Sequence, residues 1–386
     1  MNKIIKLGLL IVISSGLSAC FDNKDCQTLF DEKNYDKAFK TCSTEVKSGA
    51  ANAQTTLGYM YDEGLGVEQN YLLAKKYYQL SADQGNAGGL NNLGYLYMHG
   101  RGVTIDYAKA KALFELSADQ NDAFAQNNLG YLYDVGLGVE QDYRQAKRWY
   151  QLSAEQGNTS AQNNLASLYY YGLGVKKSYS KAKEWYELSA NQGNTSALNN
   201  LGNLYRNGLG VKRNYTKAKE LYELAANKGD APAQNNLGYM YDEGLGVEQN
   251  YLLAKKYYQL SADQGNASGL NNLGYLYMHG RGVMKDYAKA KEYYELAANK
   301  GDASAQNNLG YLYEQGLGIA QDYTKAKTLY ESTALKGSHT AQYNLAYMYE
   351  KGEGVSVDID KAIELYQKAC DDGNNDGCEA VTELSP

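Results

Sequence analysis

The chain is poor in the residues that most often carry chemistry. Its 386 residues include three histidines, His99, His279 and His339. His99 and His279 stand at the same place in duplicated blocks, which argues against a unique catalytic base. Of the five cysteines, Cys26 and Cys42 lie near one end and Cys370 and Cys378 near the other, so these four do not converge on one metal ion. Basic residues number 38 against 44 acidic, a net charge of −6, and there is no basic stripe of the kind nucleic acid requires. The one long apolar run, Leu7 to Leu17, falls short of the roughly 20 residues that span a bilayer. Neither a cofactor nor a small-molecule substrate is expected.

What fills the chain is a 36-residue unit, read most cleanly from Ala125 to Ser160 and present nine times without insertion. Its landmark is a leucine, at Leu57, Leu93, Leu129, Leu165, Leu201, Leu237, Leu273, Leu309 and Leu345. Length alone suggests two or three domains. The unbroken period argues instead for one elongated solenoid of stacked helical hairpins. In the first copy, Ala53, Leu57, Met60 and Tyr61 form an amphipathic stripe, which predicts a helix over about Ala53 to Asp62. Gly64 and Gly66, kept in all nine copies, break it. Asn70 can cap a second helix carrying Tyr71, Ala74, Tyr78 and Ala82, which ends at Gly85-Asn86. Ala74 is alanine in every copy and Gly58 is always Gly or Ala, as expected where helices approach closely. The invariant tyrosines in register with Tyr61 are expected in the core. Leu57–Val103 matches Leu237–Val283 apart from Gly88 against Ser268, the trace of a duplication.

Residues 1–19 read as a secretory signal, with Lys3 and Lys6 ahead of the apolar run. The segment ends in Leu17-Ser18-Ala19-Cys20, which resembles a bacterial lipobox and implies cleavage before Cys20, lipidation of that residue and a short tether over 20–25. Phe21 after it implies sorting to the outer membrane, and the mature chain would carry 36 basic against 44 acidic residues, a net of −8. Export makes the other cysteines legible as disulfides. Cys26 and Cys42 sit symmetrically about Asn34, and Cys370 and Cys378 flank a turn, so the expected bridges are 26–42 and 370–378. Residues 26–50 read as an N-terminal capping hairpin, 51–374 as the repeats and 375–386 as a closing helix.

The pattern A..LG..Y..G.GV..DY.KA..WY..A...G resembles the Sel-like repeat (SLR) family of tetratricopeptide-related α/α solenoids. The resemblance covers about residues 26–385 and implies an all-α, right-handed superhelix. It further implies a scaffold, adaptor or immunity protein of the bacterial envelope, facing the periplasm. A cysteine-rich branch is linked to penicillin binding and weak β-lactamase activity; this chain has the matching cysteine spacing only at Cys370 and Cys378. Ser178-Tyr179-Ser180-Lys181 matches the S-x-x-K of penicillin-recognising enzymes without their S-D-N or K-T-G.

The related geometry puts the concave face on the first helices, at positions in register with 52, 55, 59, 62 and 63. The series through Tyr59, Tyr95, Tyr131, Tyr239, Tyr275, Tyr311 and Tyr347 offers rigid contact area, and Asn91, Asn127, Asn235, Asn271 and Asn307 offer hydrogen bonds. At register positions 62 and 63 the copies differ most, running from Asp62-Glu63 to Tyr170-Tyr171 and Arg206-Asn207. The expected occupant is a protein, either a secreted effector or an envelope protein. The bland alternative is that these side chains only ladder along the stack.

Overall fold

A computed structural model describes residues 24–384. The proposed signal segment, the lipobox and Cys20 lie outside the described residues. Within them the fold is all-α: a short pair, α1 (Cys26–Asp31) and α2 (Tyr35–Glu45), then nine helical hairpins, then a last helix, Asn375–Leu384. The first hairpin pairs α3 (Ala51–Glu63) with α4 (Tyr71–Ala82), and each later copy repeats this 36 residues on. The first helix starts earlier than its apolar stripe suggests. Asn86, read from the sequence as a terminator, accepts from Gly89 N–H and so caps the helix Ala87–His99. One Gly-Asn dipeptide therefore stops one helix and starts the next.

The described helices gather into two compact units, 24–141 and 142–384. In a stack, each repeat buries its apolar face only against its neighbours, so compactness is a local property.

The same contacts build both units. Ala74, Ala110, Ala182 and Ala218 are wholly buried, and a Cβ at Gly58 or Gly202 would stand 2.7 or 2.5 Å from the ring of Tyr78 or Tyr222. The large side chains of the core are these second-helix rings: Tyr78 and Phe114 in the first unit, and Tyr150, Tyr186, Tyr222, Tyr258, Tyr294, Tyr330 and Tyr366 in the second. Apart from Tyr97, which is buried, the Tyr61 series is not the deep core it was expected to be. Tyr61 is half-buried and lies parallel to Tyr77 at 5.8 Å, as Tyr241 does to Tyr257. These rings line the seam between the two helices of a hairpin, so their invariance reflects stacking at a half-open edge.

At the ends, Cys26 is joined to Cys42 and Cys370 to Cys378. The first bridge ties α1 to α2. The second ties the last repeat's second helix, Ile359–Asp371, to the closing helix. Among the described residues no helix is long and apolar enough to cross a membrane, and no group of His, Cys, Asp and Glu could hold a metal ion.

Candidate functional site

Positions 55, 59 and 62 of a repeat are spaced i, i+4 and i+7, so their side chains share one face of each first helix. The structure gives the three series different work.

The asparagines form a ladder. Asn91 Oδ1 accepts from Asn128 at 3.0 Å in the first unit. In the second unit Asn163, Asn199, Asn235, Asn271 and Asn307 accept in the same way from Asn200, Asn236, Asn272, Asn308 and Asn344, at 2.8 to 3.2 Å. Each bond ties one first helix to the next, the pairing the bland alternative anticipated. Asn91 and Asn307 are largely buried as well, which leaves little of either side chain for a partner. The amides of Asn235 and Asn271 remain half-exposed, as does the side chain of Asn127.

The tyrosines remain open. Tyr59 and Tyr131 in the first unit are 40% exposed; in the second, Tyr239 is 40% and Tyr311 38% exposed, with Tyr347 similar. Tyr95 and Tyr275 are more covered, their rings 4.1 and 4.2 Å from those of His99 and His279. Burial and the neighbouring arginine hold both imidazoles below the usual histidine range. Tyr170 lies in contact with Tyr171 and Tyr179.

The third series turns inward, against expectation. Asp62 is buried and accepts from Tyr78 Oη at 3.5 Å and from Arg101 at 3.3 Å. Asp242 does the same with Tyr258 and Arg281. Tyr330 donates to Glu314 at 2.6 Å and Tyr366 to Glu350 at 2.8 Å. A buried phenol needs a partner, and the acid sixteen residues before it supplies one. Three repeats depart from this. Tyr294 Oη donates to Met278 Sδ at 3.5 Å, a weak acceptor at position 62 itself. In the other two the partner moves. Ser167 Oγ pairs with Tyr186 Oη at 2.9 Å, and Asn203 Oδ1 accepts from Tyr222 at 2.7 Å, from the position that other copies give to tyrosine. There position 62 is released, and it holds Tyr170 and Arg206. In the repeat where the ring is Phe114, with no hydroxyl to satisfy, position 62 is Met98.

Glu314 is the strained member of the acid series. Burial raises its carboxyl, the nearby Glu353 carboxylate raises it further, and the Tyr330 hydroxyl and the Gln315 side chain relieve it only in part. A carboxyl whose folded pKa lies above its unfolded value binds its proton more tightly in the folded chain. Its contribution to stability is therefore complete in acid and is lost as pH rises above the ordinary glutamate range through the folded value. Glu314→Gln keeps an acceptor for Tyr330 and removes the charge. It is expected to raise the melting temperature at pH 8 by about 2–4 °C, for about 1 kcal/mol, and to have little effect at pH 4. Calorimetry at the two pH values checks this; a stabilisation equal at both would assign the gain to something other than ionisation.

Ser178, of the S-x-x-K match, is the N-cap of the helix Tyr179–Asn191; its Oγ accepts from Lys181 N–H at 3.4 Å. Asp106, Asp142 and Asn214 hold the same place and role in other copies. Lys181 Nζ lies over the Tyr169 ring, 5.2 Å from its centroid.

The hairpin stack, the laddered first helices and the absence of strands among the described residues define an α/α repeat protein. Sel1 repeats match residues 51–86, 87–122, 123–158, 159–194, 195–230, 231–266, 267–302, 303–338 and 339–374, and the chain belongs to the Sel1 repeat family. It is similar to a protective antigen of uropathogenic Escherichia coli strains that displays an SLR fold. That protein is 35% identical, the match covers 91% of this chain and 75% of the antigen, and the TM-score is 0.67. It is also similar to a Sel1 repeat protein from Oxalobacter formigenes, at 33% identity over 63% of this chain and 96% of that one, TM-score 0.57. No curated protein matches the sequence.

Proposed function

We propose that this is a non-catalytic, lipid-anchored protein of the bacterial envelope that binds a protein partner through the open tyrosines of its first helices. The observation that carries the reading is the repeated exposure of Tyr59 and Tyr131 in one unit and Tyr239, Tyr311 and Tyr347 in the other. A core would bury these rings, and the hydroxyls that the core must satisfy belong to a different series. Tyrosine supplies large contact area at small cost in side-chain entropy, which suits a binding surface. The anchor rests on Cys20 and its lipobox, and the placement at the outer membrane facing the periplasm on Phe21. The cap role of Ser178 supports binding without turnover. Of the possible partners, a secreted effector that the protein neutralises is favoured over an envelope assembly factor by the duplicated block, since recognition of a changing opponent rewards rapid rearrangement of repeats.

Crosslinked capture from intact envelopes tests this. Tyr59, Tyr131, Tyr311 and Tyr347 changed together to Ala should keep their helicity and lose the captured protein. A secreted effector lost in this way supports neutralisation, and a resident assembly protein supports the scaffold. Identical capture by both versions would overturn the tyrosine face.

A further inference from the structure

The second unit carries a basic block that the rest of the chain does not share. Residues 159–230 hold ten Lys and Arg against five Asp and Glu, a net of +5, in a chain whose total is −6, so the remainder sums to −11. Within this block the loop before the second helix changes character. In four copies a glutamine holds that place and caps the first helix, as where Gln249 donates to Asp242 O and Gln321 to Glu314 O, at 2.7 and 2.8 Å; three others carry Ile105, Lys285 and Val357. The corresponding residues here are Lys177 and Arg213.

Arg213 and Arg206 both line a cavity of about 660 Å³ on the first-helix face. The guanidinium of Arg206 lies over the Tyr239 ring at 5.7 Å and that of Arg213 over Tyr215 at 5.5 Å. Arg206 donates from Nη1 to Asn236 at 3.1 Å and from Nε to Asn207 at 3.3 Å, which leaves most of its fork unpaired among the described residues. The contrast lies with the other arginines of this face. Arg101 is paired with Asp62 and Glu63, and Arg281 with Asp242 and Glu243. Neither Arg206 nor Arg213 has an acid partner among the described residues. The one carboxylate lining the cavity, Asp302, caps the helix Ala303–Gln315 by accepting from Ala305 N–H.

We propose that this cavity takes an extended acidic segment of the partner protein, with side-chain carboxylates seated on Arg206 and Arg213. The inference rests on the protein-binding reading and names the chemistry of the partner. A planar fork with free N–H groups pairs best with a carboxylate, and the aromatic floor keeps water from competing for it. The volume exceeds what a single small anion fills. The exposed asparagine edges around the arginines match the alternating carbonyls and N–H groups of an extended backbone.

The test uses the full chain and a short fluorescent peptide of alternating Glu and Gly, blocked at both ends, with the same peptide carrying Gln for Glu as reference. The acidic peptide should bind at least about tenfold tighter than the reference, and R206Q/R213Q should lose that preference with unchanged helicity. R101Q, which removes a paired arginine, should keep it. Equal binding of the two peptides, or an unchanged preference in R206Q/R213Q, overturns the proposal. Envelope capture separates the two readings. A partner still captured by R206Q/R213Q but lost in the tyrosine variant defeats the acidic-segment inference and leaves the tyrosine face standing.

Discussion

Tyr222→Ala is expected to destabilise the unit from Asp142 onward by about 3–5 kcal/mol, the range for truncating a fully buried aromatic. Tyr222 has no exposed surface and sits among Ala218, Leu221 and Leu237. Its ring comes so close to Gly202 that a Cβ there would stand 2.5 Å away, so helices locked at that distance will not collapse into the hole. Tyr222→Phe separates shape from hydrogen bonding. It fills the same space and removes only the donor to Asn203, which still accepts weakly from Asn236 at 3.4 Å. That change should cost about 1 kcal/mol. Urea denaturation of the full chain, followed by helicity, measures both. If the alanine variant loses no more than the phenylalanine variant, the ring is not the keystone its burial implies. The chain already contains one such phenylalanine, Phe114, with Met98 sixteen residues before it, the residue type that also stands sixteen before Tyr294.

The fold was legible in the sequence because a fixed period repeats each constraint nine times. The alanines in register with Ala74 and the small residues at Gly58 announce close helix approach on their own. Burial was less legible. Tyr61 never varies and Tyr78 has one phenylalanine counterpart, so constancy pointed to the wrong ring as the core. Constancy records that a side chain is used, and stacking on Tyr77 at a half-open edge is use enough. The carboxyl groups of Asp62 and Glu314 were read as a groove wall because charge usually marks solvent; only the fold shows the phenol sixteen residues on that needs them. The asparagine ladder was foreseen only as an alternative, since each partner lies 37 residues away and no local pattern selects it. Arg206 stood among the expected binding residues, but Arg213 was missed. The signal that could have found it is the pair Lys177 and Arg213 in register, consecutive copies with a basic residue there, within the one strongly basic pair of repeats.

Glycine provides the second large effect, at a position chosen by contact as well as by backbone. Gly210 has φ of +66°, and a Cβ on it would meet Tyr179 Cβ at 2.7 Å and the Tyr179 carbonyl carbon at 2.9 Å. The glycines in register behave alike: Gly246 closes on Tyr215 and Gly282 on Tyr251, each the first residue of the preceding repeat's second helix. This is where one hairpin rests on the last, and the atoms it rests on, a Cβ and the backbone beside it, cannot rotate away. Gly210→Ala should therefore cost about 1–2 kcal/mol for the left-handed conformation and about 1–3 more for the overlap. Gly229 provides the control, since its φ is +89° and nothing lies within 4 Å of its missing side chain. The same register position already holds Asn121, at φ of 64°. Gly229→Asn should stay within about 0.5 kcal/mol of the parent. Melting temperatures of the two variants decide the matter: equal losses would mean that backbone conformation alone selects glycine, whereas a large loss confined to Gly210→Ala places the repeat-to-repeat contact at that atom.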